Sequence, residues 1–389
     1  MSKTVRALVT PEVLAWARSL DAITQEEASK KMNVKEDKID EWESGTSMPT
    51  LRQAKNLAKY YRVPFVYFYL PDVPKKTKRI DKVDYRTFGN IGDIVEMSRE
   101  LRWLLRDIEE RRDTMLALYE ADEQTVKPFT LRMDPKTNRQ DIANAIRDLL
   151  EITHDKQVRF RKPESFLTYC ISKLEQLDFL IFQASKIEPK EMRGLSLAYD
   201  VFPIITLNRK DEPSARLFTL IHELVHIITN TSGICNDISE DSASESDIEL
   251  MCNDIAGLVL VPQDEFKRHN GISQIKRYGF DDVYVSAIAR DFAVSKEVIL
   301  HHLWDTNVIT KKMYFETLKR YSNEYQAYKA KRKGGFLPPA LDKGTQVGKL
   351  YARTVLNSYY GDKISARDAS NYLLNLGQQH FGKIERWCY

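Results

Sequence analysis

Apolar positions recur at helical spacing along most of the chain. Short amphipathic segments follow one another between residues 11 and 70, with a break at Gly45. The segment 92–121 carries an apolar stripe that predicts one long helix. Two short runs, "FLIFQA" and "FPIITLN", are rich in β-branched and aromatic residues and have the character of strands. The pattern therefore predicts a helical protein with a small sheet.

The order of these elements predicts a predominantly helical α+β fold, because strands and helices do not alternate as in repeating βαβ units. We expect an all-α domain over residues 1–74 and a basic linker over 75–91. A main domain follows over 92–310. A helical C-terminal region of unknown role is expected over 311–389, after a change to basic composition.

Composition limits the class of protein. The chain is 42% hydrophobic and 30% charged, as soluble globular proteins are, and no apolar stretch approaches the roughly 20 residues of a membrane span. The start of the sequence lacks the apolar core of a signal peptide, so we expect a cytoplasmic protein without membrane contact. Scattered cysteines predict reduced thiols, of which Cys235 and Cys252 are potential soft metal donors but suit small buried positions better. A net charge of +3 does not by itself indicate a polyanionic partner.

The segment "FTLIHELVHIITNTSG" (218–233) places two imidazoles and a carboxylate within one helical turn of an apolar run. Because His222 and His226 are four residues apart, a helix brings both rings to one side, where each can offer a nitrogen to a common point. Zinc binds neutral imidazoles at about 2.0 Å, and Glu223 beside them can accept a proton from water. A chain with this content of histidine and acidic residues is expected to contain about 0.02 such matches by chance. The pattern H-E-x-x-H therefore predicts a catalytic zinc site.

Such a site needs a third protein ligand, and the segment 244–262 offers one. In a helix, Glu249 and Asn253 share a face with small residues that allow a close approach to the first helix. Glu249 is the candidate ligand and Asn253 a candidate for orienting it. An alternative stays open, because Ser246 and Glu249 also fit a capping box in which the carboxylate would bind a backbone N–H.

Taken in order, these segments resemble the ImmA/IrrE family of metallo-endopeptidases, in its longer members with an N-terminal helix-turn-helix of the phage-repressor (XRE, Cro/C1) type. The similarity is carried by "DYRTFGN" (84–90), "LRWLLRDIEERRD", "RGLSLAYDVFPIITLN" (193–208), "ARLFTLIHELVHI" (215–227), "SGICN" (232–236), "ELMCNDIAGLVLVP" (249–262) and "IARDFAVSKEVILHHLWDTNVI" (288–309). The resemblance implies a zincin-like domain of the gluzincin type over 92–310. It implies that His222, His226 and Glu249 bind Zn²⁺ and that Glu223 is the base. Val225 departs from the small residue that the family often has there, which concerns helix packing.

The resemblance also implies a function. Family members cleave a partner repressor at a single site, and some long members are encoded beside a small PIN-like ribonuclease in a toxin–antitoxin pair. It implies that "PIITLN" lines the cleft and pairs with an extended substrate. The rival interpretation is a non-enzymatic DNA-binding transcriptional regulator, or an antitoxin that neutralises an adjacent PIN-like ribonuclease, with the zinc fold as scaffold. The presence of Glu223 favours the enzyme, since a scaffold needs no base. Tyr199, His269 and His301 are unsupported candidates for an oxyanion donor.

Helices over 24–32 and 35–44, followed by "WESGTSMP", have the lengths and ending of a helix-turn-helix, whose second helix enters the major groove of DNA. The predicted contact positions are Gln25, Lys35 and Lys38. The second helix, however, has two lysines against five acidic residues over 35–43, a net charge of −3 where phosphates would approach. DNA binding through this domain and docking to a protein partner both stay open.

Overall fold

A computed structural model describes residues 5–74, 97–231, 234–235, 247–331 and 337–389. Over these residues the fold is mostly helical with one four-stranded sheet, which confirms the predicted α+β class. The described residues up to Asp107 form one compact unit and those from Ile108 onward form a second. None of the described helices combines the length and the apolar character needed to cross a membrane. The predicted linker over 75–91 lies outside the described residues.

The first unit is built from short helices, as the spacing predicted. They are α1 (Pro11–Ser19), α2 (Gln25–Met32), α3 (Glu36–Glu43), α4 (Leu51–Tyr60), a 3₁₀ helix (Phe65–Tyr69) and the beginning of α5 (Arg99–Ala121). Thr24 and Thr50 begin α2 and α4 with capping boxes, in which each hydroxyl accepts a backbone N–H of the first turn. The helices bury a core around Trp42, Leu57 and Phe68.

The beginning of α5 belongs to this unit because it satisfies buried polar groups there. Asp21 is 1% exposed and accepts a hydrogen bond of 2.6 Å from the indole Nε1 of Trp103, besides an ion pair with Arg106. Arg99 binds the carboxylate of Glu27 at 2.7 Å. The sequence-based division placed these α5 residues in the main domain. Without them Asp21 would be a buried charge without its cationic partner, which is costly.

The second unit contains the rest of α5, the sheet and the remaining helices. These elements are α6 (Arg139–Leu149), α7 (His154–Phe160), α8 (Pro163–Gln176), β1 (Leu180–Ala184), β2 (Gly194–Leu197), β3 (Ile204–Asn208), α9 (Pro213–Thr229), β4 (Ile234–Cys235), α10 (Asp247–Leu260), α11 (Gln263–Arg268), α12 (Asn270–Tyr278), α13 (Asp282–Asp291), α14 (Lys296–Asp305), α15 (Lys311–Lys331), α16 (Pro339–Val347), α17 (Lys349–Tyr360), α18 (Ala366–Tyr372), a 3₁₀ turn (Gln378–His380) and α19 (Phe381–Cys388). The core lies around α9, which packs against α8, α10 and the sheet.

The sheet has the strand order β1-β3-β2-β4. Strand β1 pairs with β3 in parallel, while β2 is antiparallel to both β3 and β4. The expectation that "PIITLN" receives an extended substrate is wrong. This segment forms β3, which is buried at every position and is hydrogen-bonded to a strand on each side, so it has no free edge.

The C-terminal helices pack against the other end of the sheet. Helices α16 and α17 contact β1, and the carboxylate of Glu175 on α8 accepts the backbone N–H groups of Lys349 and Leu350 at 2.8 and 3.1 Å. Gly348 joins these two helices at φ +77°, a conformation that favours glycine, and a Cβ there would lie 2.4 Å from the carbonyl oxygen of Ile181. The region after residue 337 is thus an integral layer of the second unit.

Candidate metal centre

Helix α9 carries the H-E-x-x-H motif through the centre of the second unit. It begins with Pro213 at its first turn, where the missing N–H costs nothing, and ends at Asn230 in a left-handed conformation with φ 55°. Every residue from Thr219 to Thr229 is buried. The apolar run therefore has the environment that its composition predicted, and the motif lies inside a packed core.

The two predicted histidine ligands face each other. His222 and His226 are 4% and 1% exposed, and their Nε2 atoms lie 3.0 Å apart. The carboxylate of Glu249 completes the group, with Oε2 3.2 Å from Nε2 of His222 and Oε1 3.4 Å from Nε2 of His226. Atoms bound tetrahedrally to zinc at about 2.0–2.1 Å lie about 3.3–3.4 Å apart, so the three donors, separated by 3.0, 3.2 and 3.4 Å, are close enough to share one zinc ion.

Glu249 reaches this point from α10, in the first turn of that helix. Ser246, the partner in the alternative capping box, lies outside the described residues. The Glu249 carboxylate is directed at the two imidazoles, which is the arrangement that a shared ion requires. Within the described part of the chain, these three residues form the one group of histidine, cysteine and acidic side chains close enough to hold a metal ion.

Glu223 lies on the same helix, between the two histidines in sequence, and is completely buried. Neither of its carboxylate oxygens has a hydrogen-bond partner among the described residues. A buried carboxylate without partners is unfavourable by several kcal/mol unless a nearby cation compensates it. Its position beside a candidate cation site is therefore consistent with the role of a base and is difficult to explain as simple packing.

The charges of the site favour a cation at its centre. Burial opposes a charge on the His226 imidazole, but its contacts with Cys252 and Glu249 and the negative charge of Glu223 together raise its pKa. Burial also opposes ionisation of Glu249, yet hydrogen bonds from His222 and His226 outweigh it and hold the pKa of that carboxyl well below its usual range. Two carboxylates thus create a negative potential where the ring nitrogens converge, and the donor set of two imidazoles and a carboxylate fits Zn²⁺.

The end of α9 orients His226, a feature that the sequence did not suggest. After Asn230 the chain turns back, so that the carbonyl oxygen of Thr231 lies 2.8 Å and its hydroxyl 3.0 Å from Nδ1 of His226. A proton held on Nδ1 by this carbonyl leaves the lone pair on Nε2, on the side of the metal site. An asparagine after an apolar helix is a signal for such a turn, but the contact with the ring depends on the tertiary structure.

Other candidate residues lie in different surroundings. Asn253 is half-buried on α10, one turn after Glu249, and its predicted orienting role stays a prediction. Cys252 is buried with Sγ 3.8 Å from Nδ1 of His226, on the side of the ring away from the ligand atoms. The side chain of Cys235 lies outside the described residues. Burial raises the pKa of the Cys252 thiol, which suits the predicted packing role.

The three candidates for an oxyanion donor have other contacts. The hydroxyl of Tyr199 donates to Glu109, and Nδ1 of His269 accepts the N–H of Gly271 at 3.0 Å at the beginning of α12. His301 is exposed at the α14 surface, where it packs edge-on against Trp304. None of these contacts places a donor at the metal site.

The predicted DNA-contact residues are partly engaged within the first unit. The side-chain amide of Gln25 donates to Glu43 at 3.0 Å and to Asp40 at 3.4 Å, so it is turned toward the acidic helix α3. Lys35 is exposed just before α3, and Lys38 is exposed and paired with an acid on the same helix. Their role in DNA binding stays a prediction.

Comparison with known families gives two matches. A family model described as IrrE N-terminal-like domain (Peptidase_M78) matches residues 176–303, and one described as helix-turn-helix (HTH_3) matches residues 15–68. The first match contains the whole metal centre, and the second spans α2, α3 and α4. No curated protein matches the chain significantly. The peptidase-type domain suggests a metallopeptidase, and the helix-turn-helix suggests DNA binding.

Proposed function

We propose that this chain, an ImmA/IrrE protein with an N-terminal helix-turn-helix, is a zinc-dependent, site-specific endopeptidase that cleaves or controls a protein partner. The helix-turn-helix would bring the peptidase to its target by docking to DNA or to that partner. An XRE-type repressor and a PIN-like ribonuclease toxin are the two partners that the family resemblance implies.

One observation carries the proposal: the buried carboxylate of Glu223, which has no hydrogen-bond partner among the described residues, lies beside three converging donors. A protein that used the fold only as a scaffold would be more stable with a neutral side chain at this position, because burial of an uncompensated charge costs free energy. A base, by contrast, must be close to the reacting water and must not be neutralised by a permanent ion pair.

The residues divide the work between binding and proton transfer. His222, His226 and Glu249 would hold the ion, and Thr231 would keep Nε2 of His226 available through its contact with Nδ1. When bound, zinc supplies a Lewis acid that polarises the scissile carbonyl and makes water more acidic. Glu223 would accept the proton of the attacking water and deliver it to the nitrogen of the leaving amine. The water oxygen forms the new C–O bond to the carbonyl carbon, and the C–N bond breaks once the nitrogen has taken up the proton and leaves as an amine.

The sheet indicates where an extended substrate segment would bind. Strands β3 and β2 are interior, and β1 is covered by α16 and α17. The other end of the sheet is β4, which pairs with β2 opposite Gly194, the residue beside Glu223. Among the described strands, backbone pairing with a peptide would therefore occur at the β4 end.

Glu223→Gln and His226→Ala separate the base from the ligands. Glu223→Gln should keep stoichiometric zinc, measured by inductively coupled plasma mass spectrometry, and lose cleavage, because it removes the base and no ligand. His226→Ala should lose both. Cleavage of a target of any identity is detected by incubating the full-length protein with lysate of its own cells and identifying new protein N-termini by mass spectrometry.

The expected result is a small set of new N-termini that form with the wild type and not with Glu223→Gln. Purified protein without zinc, or identical N-termini with both proteins, would overturn the endopeptidase and leave the regulator or antitoxin without catalysis. The docking role is tested separately by an electrophoretic shift of the full-length protein on its own upstream DNA at low salt. A shift assigns the helix-turn-helix to DNA, and its absence removes the interpretation as a repressor of that DNA.

A further inference from the structure

Strand β2 crosses helix α9 directly above the candidate base. The crossing residue on the strand is Gly194, and the residues below it are Thr219 and Glu223, one turn apart on α9. A Cβ added to Gly194 would lie 2.3 Å from Oε1 of Glu223, 2.4 Å from Cγ2 of Thr219 and 3.0 Å from Cδ of Glu223. The first two distances are shorter than any ordinary contact of a carbon atom, and the third is unusually tight, so one of these side chains would have to shift.

We propose that Gly194 is a positioning residue for catalysis: its missing side chain provides the space in which the Glu223 carboxylate stands beside the metal site. This inference rests on the proposed function, since it gives Glu223 the role of base. Gly194 would not touch the substrate or the ion and would act only through Glu223.

The strand cannot move away to accommodate a side chain. Gly194 is opposite Leu207 of β3 on one side and opposite Cys235 of β4 on the other, so its backbone is held within the sheet. The preceding residue is also anchored, because the carbonyl of Arg193 accepts the N–H of Asn208 at 2.8 Å. The side chain of Asn208 in turn is fully buried and donates to the carbonyls of Ile187 and Met192. An added methyl group would therefore displace Glu223 or Thr219.

Steric contact matters for Glu223 because hydrogen bonds do not hold it. Neither carboxylate oxygen has a hydrogen-bond partner within the described part of the chain, so packing determines where the side chain lies. A shift of about 1 Å in such a group costs roughly a hundredfold in rate.

A side chain at position 194 would also meet Thr219, and that contact would exist even if Gly194 had only a structural role. The test must therefore separate the contact with Glu223 from the contact with Thr219. Thr219→Ser removes the methyl group Cγ2 and provides a background in which Glu223 is the remaining obstacle. In that background, Gly194→Ala should lower the thermal midpoint of the full-length protein by roughly 5 °C. The same substitution should lower it by less than half as much when Glu223→Ala is also present. Equal decreases in both would overturn the proposal.

If the variant with both Gly194→Ala and Thr219→Ser does not fold, the test is whether adding Glu223→Ala restores folding. Recovery of a folded protein on addition of Glu223→Ala supports the contact. Failure of the triple variant to fold would overturn it, because the obstacle would then be the helix backbone. Gly257→Ala is the matched control: it adds a methyl group on α10 at an ordinary 3.6 Å from His302, and it should not lower the midpoint and should leave the metal site as in the wild type.

The functional part of the test uses cobalt-substituted full-length protein. Gly194→Ala should still bind one Co²⁺, but the pH midpoint of its visible absorption bands should move from the wild-type value toward that of Glu223→Gln. Formation of the Glu223-dependent N-termini should slow about a hundredfold. An unchanged pH midpoint would overturn the positioning role. If the wild type binds no cobalt, the proposed function is overturned. If Gly194→Ala lowers the thermal midpoint equally with and without Glu223→Ala, only the role of Gly194 is overturned.

Discussion

Protonation of His302 should destabilise the second unit in mild acid. The side chain of His302 is 8% exposed and packs against Phe266 and Gly257. Burial, with the neighbouring His301, lowers its pKa to about 4 from an ordinary 6.5, and Asp305 only partly opposes this. The ring is therefore neutral in the folded protein over a pH range in which the unfolded chain binds a proton.

The direction and size of the pH effect on stability follow from this difference in the pKa of His302. Between pH 6.5 and pH 4 the unfolded state holds more protons, so the free energy of unfolding falls as the pH falls. A shift of this size corresponds to about 3 kcal/mol in full, of which about 2.5 kcal/mol is lost between pH 7 and pH 4.5. Typical domains are stable by only about 5–15 kcal/mol, so the loss is measurable.

His302→Gln removes the titrating group and keeps a polar side chain. Urea unfolding at pH 7 and pH 4.5, with chelator present so that metal release does not contribute, should show that the variant loses about 2.5 kcal/mol less stability than the wild type over this interval. The test compares how the free energy of unfolding changes with pH in the two proteins. The free energy of unfolding at pH 7 alone is not sufficient, because the substitution also changes packing. Equal losses in the two proteins would refute the assignment of a neutral, buried ring to His302.

Three further results are expected. Arg18→Met leaves the nearly buried Glu43 without the guanidinium that binds it at 2.7 and 2.8 Å, and should cost the first unit about 3–5 kcal/mol in denaturant unfolding; a loss below 1 kcal/mol would contradict a buried pair. Thr231→Val removes the hydroxyl beside Nδ1 of His226 but keeps the carbonyl, and should weaken zinc binding by about tenfold in competition with a chelator; unchanged affinity would show that the carbonyl suffices. Gly348→Ala forces a Cβ onto β1 at positive φ, and should lower the thermal midpoint of the second unit by several degrees; an unchanged midpoint would mean that the C-terminal layer is not packed there.

Local patterns predicted the parts of the site that one helix can hold. The spacing of His222 and His226 determines that they share a face of α9, and the apolar residues around them determine that this face is buried. Glu249 also followed from local reasoning, since a second helix with small residues on one side can approach the first closely. The sequence alone left its capping alternative open, because only the tertiary structure shows where the carboxylate points.

The residues that sequence patterns missed act across long distances in the chain. Strand β2 has the sequence "GLSL", whose glycine and serine do not indicate a strand; its neighbours β3 and β4 make it one. The close approach of Gly194 to α9 is likewise invisible before the sheet is placed. Gln25 was assigned to DNA from its position in a helix-turn-helix, while Glu43 and Asp40, which bind its amide, come from the following helix. Side-chain partners across elements are the information that a linear pattern lacks.

Two residues of the second unit, Glu223 and Gly194, are unfavourable for stability at the positions where they lie. Helix α9 would pack more favourably with a neutral side chain at position 223, because that residue is wholly buried and its carboxylate has no hydrogen-bond partner within the described chain. The strand above it has a glycine, which is unfavourable in the interior of a strand, and that glycine leaves room for this carboxylate. Two unfavourable choices on separate elements that fit each other are expected where function opposes stability. A scaffold would need neither, so this pair argues for proton transfer at Glu223.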